Sequence, residues 1–223
     1  MLDHRCLSYS AWKTWDQCPA KYRFSYIEKL PRKPAGPAAA RGTEIHNSVD
    51  QYLTKKIEEP HEEITHRYGQ WLMQLRELPQ KLEPEKRWAV DKDWNLCDYK
   101  DPEAVWRGFI DLHIPMLPGE TIVDEYEWKT GKIYDDHKYQ ANLYSVIALV
   151  MEENAQLARV TNVYFDQGKT TVTELPREDF EGQKFLWDQR HADLHKDDIL
   201  PPNPGWYCRY CDFSRENGGP CTF

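Results

Sequence analysis

The run Trp106-Arg107-Gly108-Phe109-Ile110-Asp111-Leu112-His113-Ile114 is followed by Pro118-Gly119 and then by Thr121-Ile122-Val123-Asp124-Glu125-Tyr126-Glu127-Trp128-Lys129. Both runs alternate with the period of two that marks a strand, and Pro-Gly supplies a turn between them. In the first, Gly108, Ile110, Leu112 and Ile114 share one face, and Arg107, Phe109, Asp111 and His113 the other. In the second, Val123, Glu125, Glu127 and Lys129 share a face. A hairpin-like pairing brings Asp111 beside Glu127. Two carboxylates and an ammonium around one point suit a hard divalent cation acting on a phosphodiester, with Lys129 orienting water or neutralising developing charge. Spacing alone does not decide this, because Glu-x-Lys is common at solvated strand ends.

Outward from these strands the periodicity changes. Ser8–Tyr26 reads as helix with Ser8 or Ser10 as cap and Pro19 as a kink, and Lys29–Ala40 as a connector. Helices follow over about 39–56 and 62–78, and a short strand over 86–91. Beyond Lys129, His137–Glu153 is an amphipathic helix. Arg159–Phe165 and Thr170–Leu175 form a hairpin, and Pro176 opens a last helix to about Lys196. The pattern is α/β: one domain over 1–223, divided into an N-terminal helical region (1–84), a sheet-and-helix region (85–175) and a C-terminal helix with a cysteine-rich tail (176–223).

A chain of 223 residues, 40% hydrophobic and 30% charged, is expected to be a soluble domain. No apolar run reaches membrane-spanning length, and MLDHRCLSYS lacks the features of a secretory leader, so a cytoplasmic address is the expectation. A net charge of −8 argues against a coat-like nucleic-acid binder but not against an enzyme that gathers acids around a metal. The six cysteines are Cys6, Cys18, Cys97, Cys208, Cys211 and Cys221. In such a compartment disulfides are disfavoured, and Cys208-x-x-Cys211 reads as a metal or redox site. Four thiolates suit zinc or an iron–sulfur cluster, and the long gap after Cys18 is unlike a zinc finger.

Four segments in order carry a resemblance. Arg41-Gly42-Thr43-Glu44-Ile45-His46, Gly108-Phe109-Ile110-Asp111, Glu127-Trp128-Lys129-Thr130-Gly131 and Gln140-x-x-x-Tyr144 resemble the RecB-like nucleases of the PD-(D/E)XK superfamily. The resemblance implies a restriction-endonuclease-like mixed sheet flanked by helices, with an N-terminal helical insertion. It implies a Mg²⁺ or Mn²⁺ held by His46, Asp111, Glu127 and the Trp128 carbonyl, Lys129 as catalytic lysine, and Gln140 and Tyr144 positioning the strand or the lysine. The family often has Asp where Glu127 stands. Asp124 lies on the opposite strand face, so Glu127 is chosen, and Glu44, Asp50 and Glu125 are left as supporting acids.

One cysteine ahead of these segments and three behind, with Gln17-Cys18-Pro19, resembles the iron–sulfur clasp of AddB-type nucleases and of the CRISPR-associated exonuclease family. That implies a 4Fe–4S cluster on Cys18, Cys208, Cys211 and Cys221 joining the two ends, with Cys6 the rival of Cys18. The implied function is a metal-dependent deoxyribonuclease, an exonuclease preferring single-stranded DNA. Proteins of CRISPR adaptation, recombination or viral replication are its candidate partners. Lys21, Arg23, Arg41 and Lys138 are candidate DNA contacts. The rival readings are a non-cutting DNA-end-binding adaptor and a zinc-stapled structural protein.

Overall fold

The computed structural model describes residues 6–34, 36–196 and 199–223. The first half of the segment read for a leader (Met1–Arg5) lies outside the described residues, as do Ala35 in the connector and Asp197–Asp198. Five strands form one sheet in sequence order: β1 (Glu83–Val90), β2 (Trp106–Ile114), β3 (Ile122–Lys129), β4 (Leu157–Tyr164) and β5 (Lys169–Pro176). All neighbours are antiparallel except β3 and β4, which run parallel from Ile122↔Leu157 to Lys129↔Tyr164. The sheet is therefore mixed and flanked by helices. A parallel pair cannot be joined by a tight turn, and α5 (His137–Met151) makes the return. Its residues Leu143, Val146, Ile147, Ala148 and Leu149 are fully buried, more than one amphipathic stripe would hide.

One core lies around α5, α1 (Tyr9–Gln17) and α6 (Phe180–Lys196), and a second joins α3 (Pro37–Leu53) and α4 (Glu62–Arg76) to Leu112, Ile114, Trp128 and Val163. Trp187 on α6 sits at the centre of the first. Its ring meets Tyr9, Trp12 and Trp106 edge-on, and its Nε1–H donates to Asn142 Oδ1 at 2.9 Å.

Pro19 breaks the first helix rather than kinking it. α1 stops at Gln17, and Cys18, extended with φ −160°, caps both α1 and the short α2 (Pro19–Tyr22). A π-helical turn, Arg23–Ile27, follows. Two motif glycines mark close approaches. A Cβ on Gly42 would lie 2.9 Å from Thr130 Oγ1, and one on Gly108 would lie 2.7 Å from the Trp88 ring. The two ends of the chain meet: Asn203 Nδ2 donates to the Gln17 carbonyl at 2.9 Å, Ala20 N to the Pro201 carbonyl at 3.1 Å, and the Phe24 and Phe213 rings lie 5.5 Å apart.

Truncating Trp187 to Ala removes a wholly buried ring that links α6 to α5, α1 and β2. The expected loss is about 3–5 kcal/mol of unfolding free energy, read from urea melts of the two proteins. A loss under about 1 kcal/mol would show that the neighbours collapse into the space.

Candidate active site

The backbone ladder between β2 and β3 stops short. Pairing holds at Ile114↔Asp124, His113↔Glu125 and Leu112↔Tyr126. Beyond it, two carboxylates take the places of backbone acceptors. The Trp128 N–H donates to Asp111 Oδ2 at 2.7 Å, and the Asp111 N–H points at Glu127 Oε1 at 3.4 Å. In a strand the N–H and C=O of one residue point to the same side, so the Trp128 carbonyl shares the edge that faces this gap. Glu85 of β1 lies on the other side of β2, between the pairs Pro84↔Leu112 and Lys86↔Ile110, with a positive φ of 51°. Partial burial raises its pKa, and the Asp111 and Asp50 charges add to that. No feature of the sequence signals this third acid, because the local twist that turns it is invisible in an alternation pattern.

α3 brings His46 to the gap, with Nδ1 3.3 Å from Asp111 Oδ1. Arg41 fixes the helix. Its guanidinium holds Asp166 with two bonds of 2.8 and 3.1 Å and reaches Glu63 at 2.7 Å, and Asp166 Oδ2 accepts the Gly131 N–H at 2.7 Å. The Arg-Gly-Thr segment is thereby tied to the loops after β3 and β4.

From the α5 side, Gln140 closes the site. Lys129 Nζ donates to Gln140 Oε1 at 2.8 Å and to Glu127 Oε2 at 3.0 Å. Gln140 Nε2 donates to Glu127 Oε2 at 3.2 Å and to the Tyr144 hydroxyl at 3.1 Å. Burial, then the Asp111 charge, pushes the Glu127 carboxyl up to about 8. Burial also opposes the Lys129 ammonium, but Glu127 and Asp111 outweigh it and its pKa is raised. For His46 burial is likewise outweighed by its bond to Asp111, and its pKa is raised too. Tyr144 is pushed well above its ordinary value by burial and by Glu127.

Other acids near the site are otherwise engaged. Asp124 is held bidentately by Arg159 of β4, at 2.5 and 2.7 Å. Glu125 is fully buried and meets His113 Nδ1 at 3.2 Å, and His113 Nε2 lies 3.4 Å from Glu152. Glu44 lies 3.8 Å from His61, and Asp50 lies 4.0 Å from Lys56. An open cavity of about 550 Å³, within the range of small-ligand sites, holds His46, Asp111, Glu127, Lys129, Gln140 and Tyr144 on its wall. Lys21, Arg23, Arg41 and Lys138 do not line it, whereas Arg107, Phe109, Tyr99 and Tyr26 do. Lys21 bonds Gln17, Arg23 pairs with Glu28, and Lys138 lies over the Tyr139 ring.

Cys18, Cys208, Cys211 and Cys221 line a different, mainly apolar cavity with Phe24 and Phe213, and all four are free thiols. Backbone N–H groups approach two of the sulfurs: Asn203 N lies 3.4 Å from Cys18 Sγ, and Gly205 N lies 3.4 Å from Cys208 Sγ. Cys6 lines the cavity of Asp111 and Lys129 instead. Among the described residues, no three or more His, Cys, Asp or Glu side chains are drawn together closely enough to hold a metal ion as they stand. The donor chemistry of both sets nevertheless fits. Carboxylates and an imidazole around a gap, one carboxyl held up by burial and then by its neighbour's charge, suit a hard cation. Four unpaired thiols in an apolar cavity, two with N–H groups beside them, suit a thiolate-bound metal.

The family model of the PD-(D/E)XK nuclease superfamily matches residues 6–215. Among solved structures, a candidate exonuclease from Eubacterium rectale is similar over 96% of this chain and 88% of its own, with 11% identity and a TM-score of 0.56. The crystal structure of SSO0001 matches 94% of this chain and 84% of its own, with 14% identity and a TM-score of 0.45. At such identities the likeness to the first speaks for the fold alone. No curated protein matches the chain.

The Arg41–Asp166 bond makes a pH prediction. Arg41 holds the Asp166 carboxyl below its ordinary value of 3.8. As pH falls, the unfolded chain therefore takes up this proton before the folded one does. The stabilisation is present above that value and is lost as pH drops through the lower folded-state pKa. Asp166→Asn should lower the urea midpoint at neutral pH, and the gap to the parent should close as pH falls below about 4. A gap that is constant with pH would show that charge at Asp166 is immaterial.

Proposed function

This chain belongs to the PD-(D/E)XK nuclease superfamily, and we propose that it hydrolyses DNA phosphodiesters at the gap between β2 and β3, acting as a RecB-like exonuclease on single-stranded ends. The observation that carries this reading is the broken ladder, in which Asp111 and Glu127 face one another with Lys129 bonded to Glu127. His46, Asp111, Glu127 and the Trp128 carbonyl would hold a Mg²⁺ or Mn²⁺, which supplies Lewis-acid polarisation of the phosphate and a more acidic water.

The chain's own groups do the rest. Gln140 accepts from Lys129 and donates to Glu127, so it fixes the ammonium beside the carboxylate and keeps it out of bulk solvent. Lys129 is thereby placed to neutralise charge that develops on the phosphoryl oxygens. Tyr144 and Gln140 are positioning residues, acting through Lys129. The open cavity with its aromatic lining supports a single strand over a duplex, and the candidate-exonuclease name of the Eubacterium rectale protein supports attack from an end. We assign the four-cysteine cavity to a 4Fe–4S cluster that fastens the chain's ends to each other.

Hydrolysis of end-labelled single-stranded DNA in Mg²⁺ or Mn²⁺, with product lengths followed over time, tests the reading. Products should shorten progressively from one end, blunt duplex should be cut more slowly, and EDTA should stop the reaction. Lys129→Ala should lower the rate by about a hundredfold or more while leaving the urea melt in place. Unchanged activity in EDTA or in Lys129→Ala overturns the site.

The cluster has its own test. Protein purified without oxygen should be brown and carry about four irons per chain. Substituting Cys18, Cys208, Cys211 or Cys221 with Ser should bleach it, whereas Cys97→Ser should not. Colourless protein with stoichiometric zinc would replace the cluster by a zinc site.

A further inference from the structure

Two residues along β2 from Asp111, on the same face of the strand, stands Phe109, and two further stands Arg107. Each such step is about 6.6 Å, close to the length of one nucleotide in an extended strand. Arg87 of β1 is the register partner of Phe109. Tyr99, from the loop between β1 and β2, completes the group: its ring centroid lies 5.3 Å from that of Phe109. The Arg87 guanidinium lies over both rings, at 5.7 and 5.5 Å, and that of Arg107 lies 5.6 Å from the Tyr99 ring.

Three features set this group apart from ordinary packing. Phe109 is 40% exposed while both its chain neighbours, Gly108 and Ile110, are buried, and none of the four residues belongs to a core cluster. Among the described residues neither guanidinium forms an ion pair at contact distance, although the Arg87 charge reaches Glu85, the chain carries a net charge of −8, and Arg41 and Arg159 are paired with acids. Tyr99, Arg107 and Phe109 also line the same cavity as Asp111 and Lys129.

We propose that Arg87, Tyr99, Arg107 and Phe109 form a subsite for one unpaired nucleotide beside the scissile phosphate, the rings taking the base and the guanidiniums the adjoining phosphate. Both ring faces and guanidinium planes stack on unpaired bases, and a base inside a duplex is not available to them without being flipped out. The proposal rests on the nuclease reading and deepens it, because it says which feature of DNA the cavity reads.

The test is binding of the full chain, carrying Lys129→Ala to prevent cutting, to three fluorescent probes in Mg²⁺. These are an oligothymidylate, a base-free deoxyribose-phosphate strand of equal length and a blunt duplex. The oligothymidylate should bind about tenfold tighter than either of the others. Phe109→Ala should abolish its advantage over the base-free strand, and Phe109→Trp should keep it. Arg107→Gln should weaken both strands and lower the salt slope by about one. Equal binding of the base-bearing and base-free strands overturns the subsite, as does an advantage that survives Phe109→Ala. If the chain with Lys129 intact cuts DNA and either of those results is found, the nuclease reading stands and the subsite alone falls. If that chain neither cuts nor binds DNA, both fall.

Discussion

The site depends on a ladder that is interrupted. Had β2 and β3 kept pairing past Leu112↔Tyr126, the same register would set Asp111 against Glu127 and Ile110 against Trp128 in a closed ladder, leaving no gap. Instead the N–H groups of Asp111 and Trp128 are each directed at the other strand's carboxylate. A buried N–H left without an acceptor is costly, so the two carboxylates stabilise the opening that exposes them. The same contacts bring two negative groups together in a buried place, and the Glu127 carboxyl, pushed up to about 8, records that conflict. Lys129 and Gln140 relieve part of it. A proton on Glu127 relieves the rest, and a cation between the carboxylates would do the same while leaving both charged.

Everything outside the gap can be read as support for it. α5 has to cross the sheet because β3 and β4 are parallel, and that path sets Gln140 over Lys129. α3 carries His46, and Arg41 anchors it through Asp166 to the Gly131 amide just past the Lys129 strand end. The close approach of Gly42 to Thr130 lets the helix settle there, since a larger side chain would meet the threonine hydroxyl.

Much of this was legible in the chain because it is local. Period-two alternation gave β2 and β3 and placed Glu127 with Lys129, and helical spacing placed Gln140 with Tyr144. The hairpin of β4 and β5 followed from its turn residues. What was not legible depends on distant pairing. The short register of β2 on β3 and the positive φ of Glu85 arise from how three strands twist against one another. Tyr99 sits in a loop, and nothing in its neighbours announces that it will lie against Phe109. Basic residues were equally hard to sort. Arg41 stands among the candidate DNA contacts, and its acidic partners, Glu63 and Asp166, come within reach only through the fold. Pro19 was legible as a disturbance, yet that it leaves Cys18 extended between two helices required the backbone itself.

The ends of the chain bear on the chemistry through a sequence of direct contacts. The C-terminal tail bonds to Gln17 at the foot of α1 and to Ala20 in α2. At the head of α1 the Tyr9 hydroxyl donates to the Asp136 carbonyl at 2.8 Å, and Lys13 pairs with the Asp136 carboxylate. Asp136 is the cap of α5, and one turn on from it Gln140 grips Lys129. Trp12 and Tyr9 also pack on Trp187, so α6 and α1 press on α5 from one side. A metal held at the four cysteines would therefore constrain not only the termini but the seating of α1, and through α1 the first turn of α5. The Asp111 and Glu127 carboxylates, held by β2 and β3 themselves, have no such dependence. Loss of the clasp on this reading loosens the lysine's support and the cavity wall formed by α1 before it disturbs the acids.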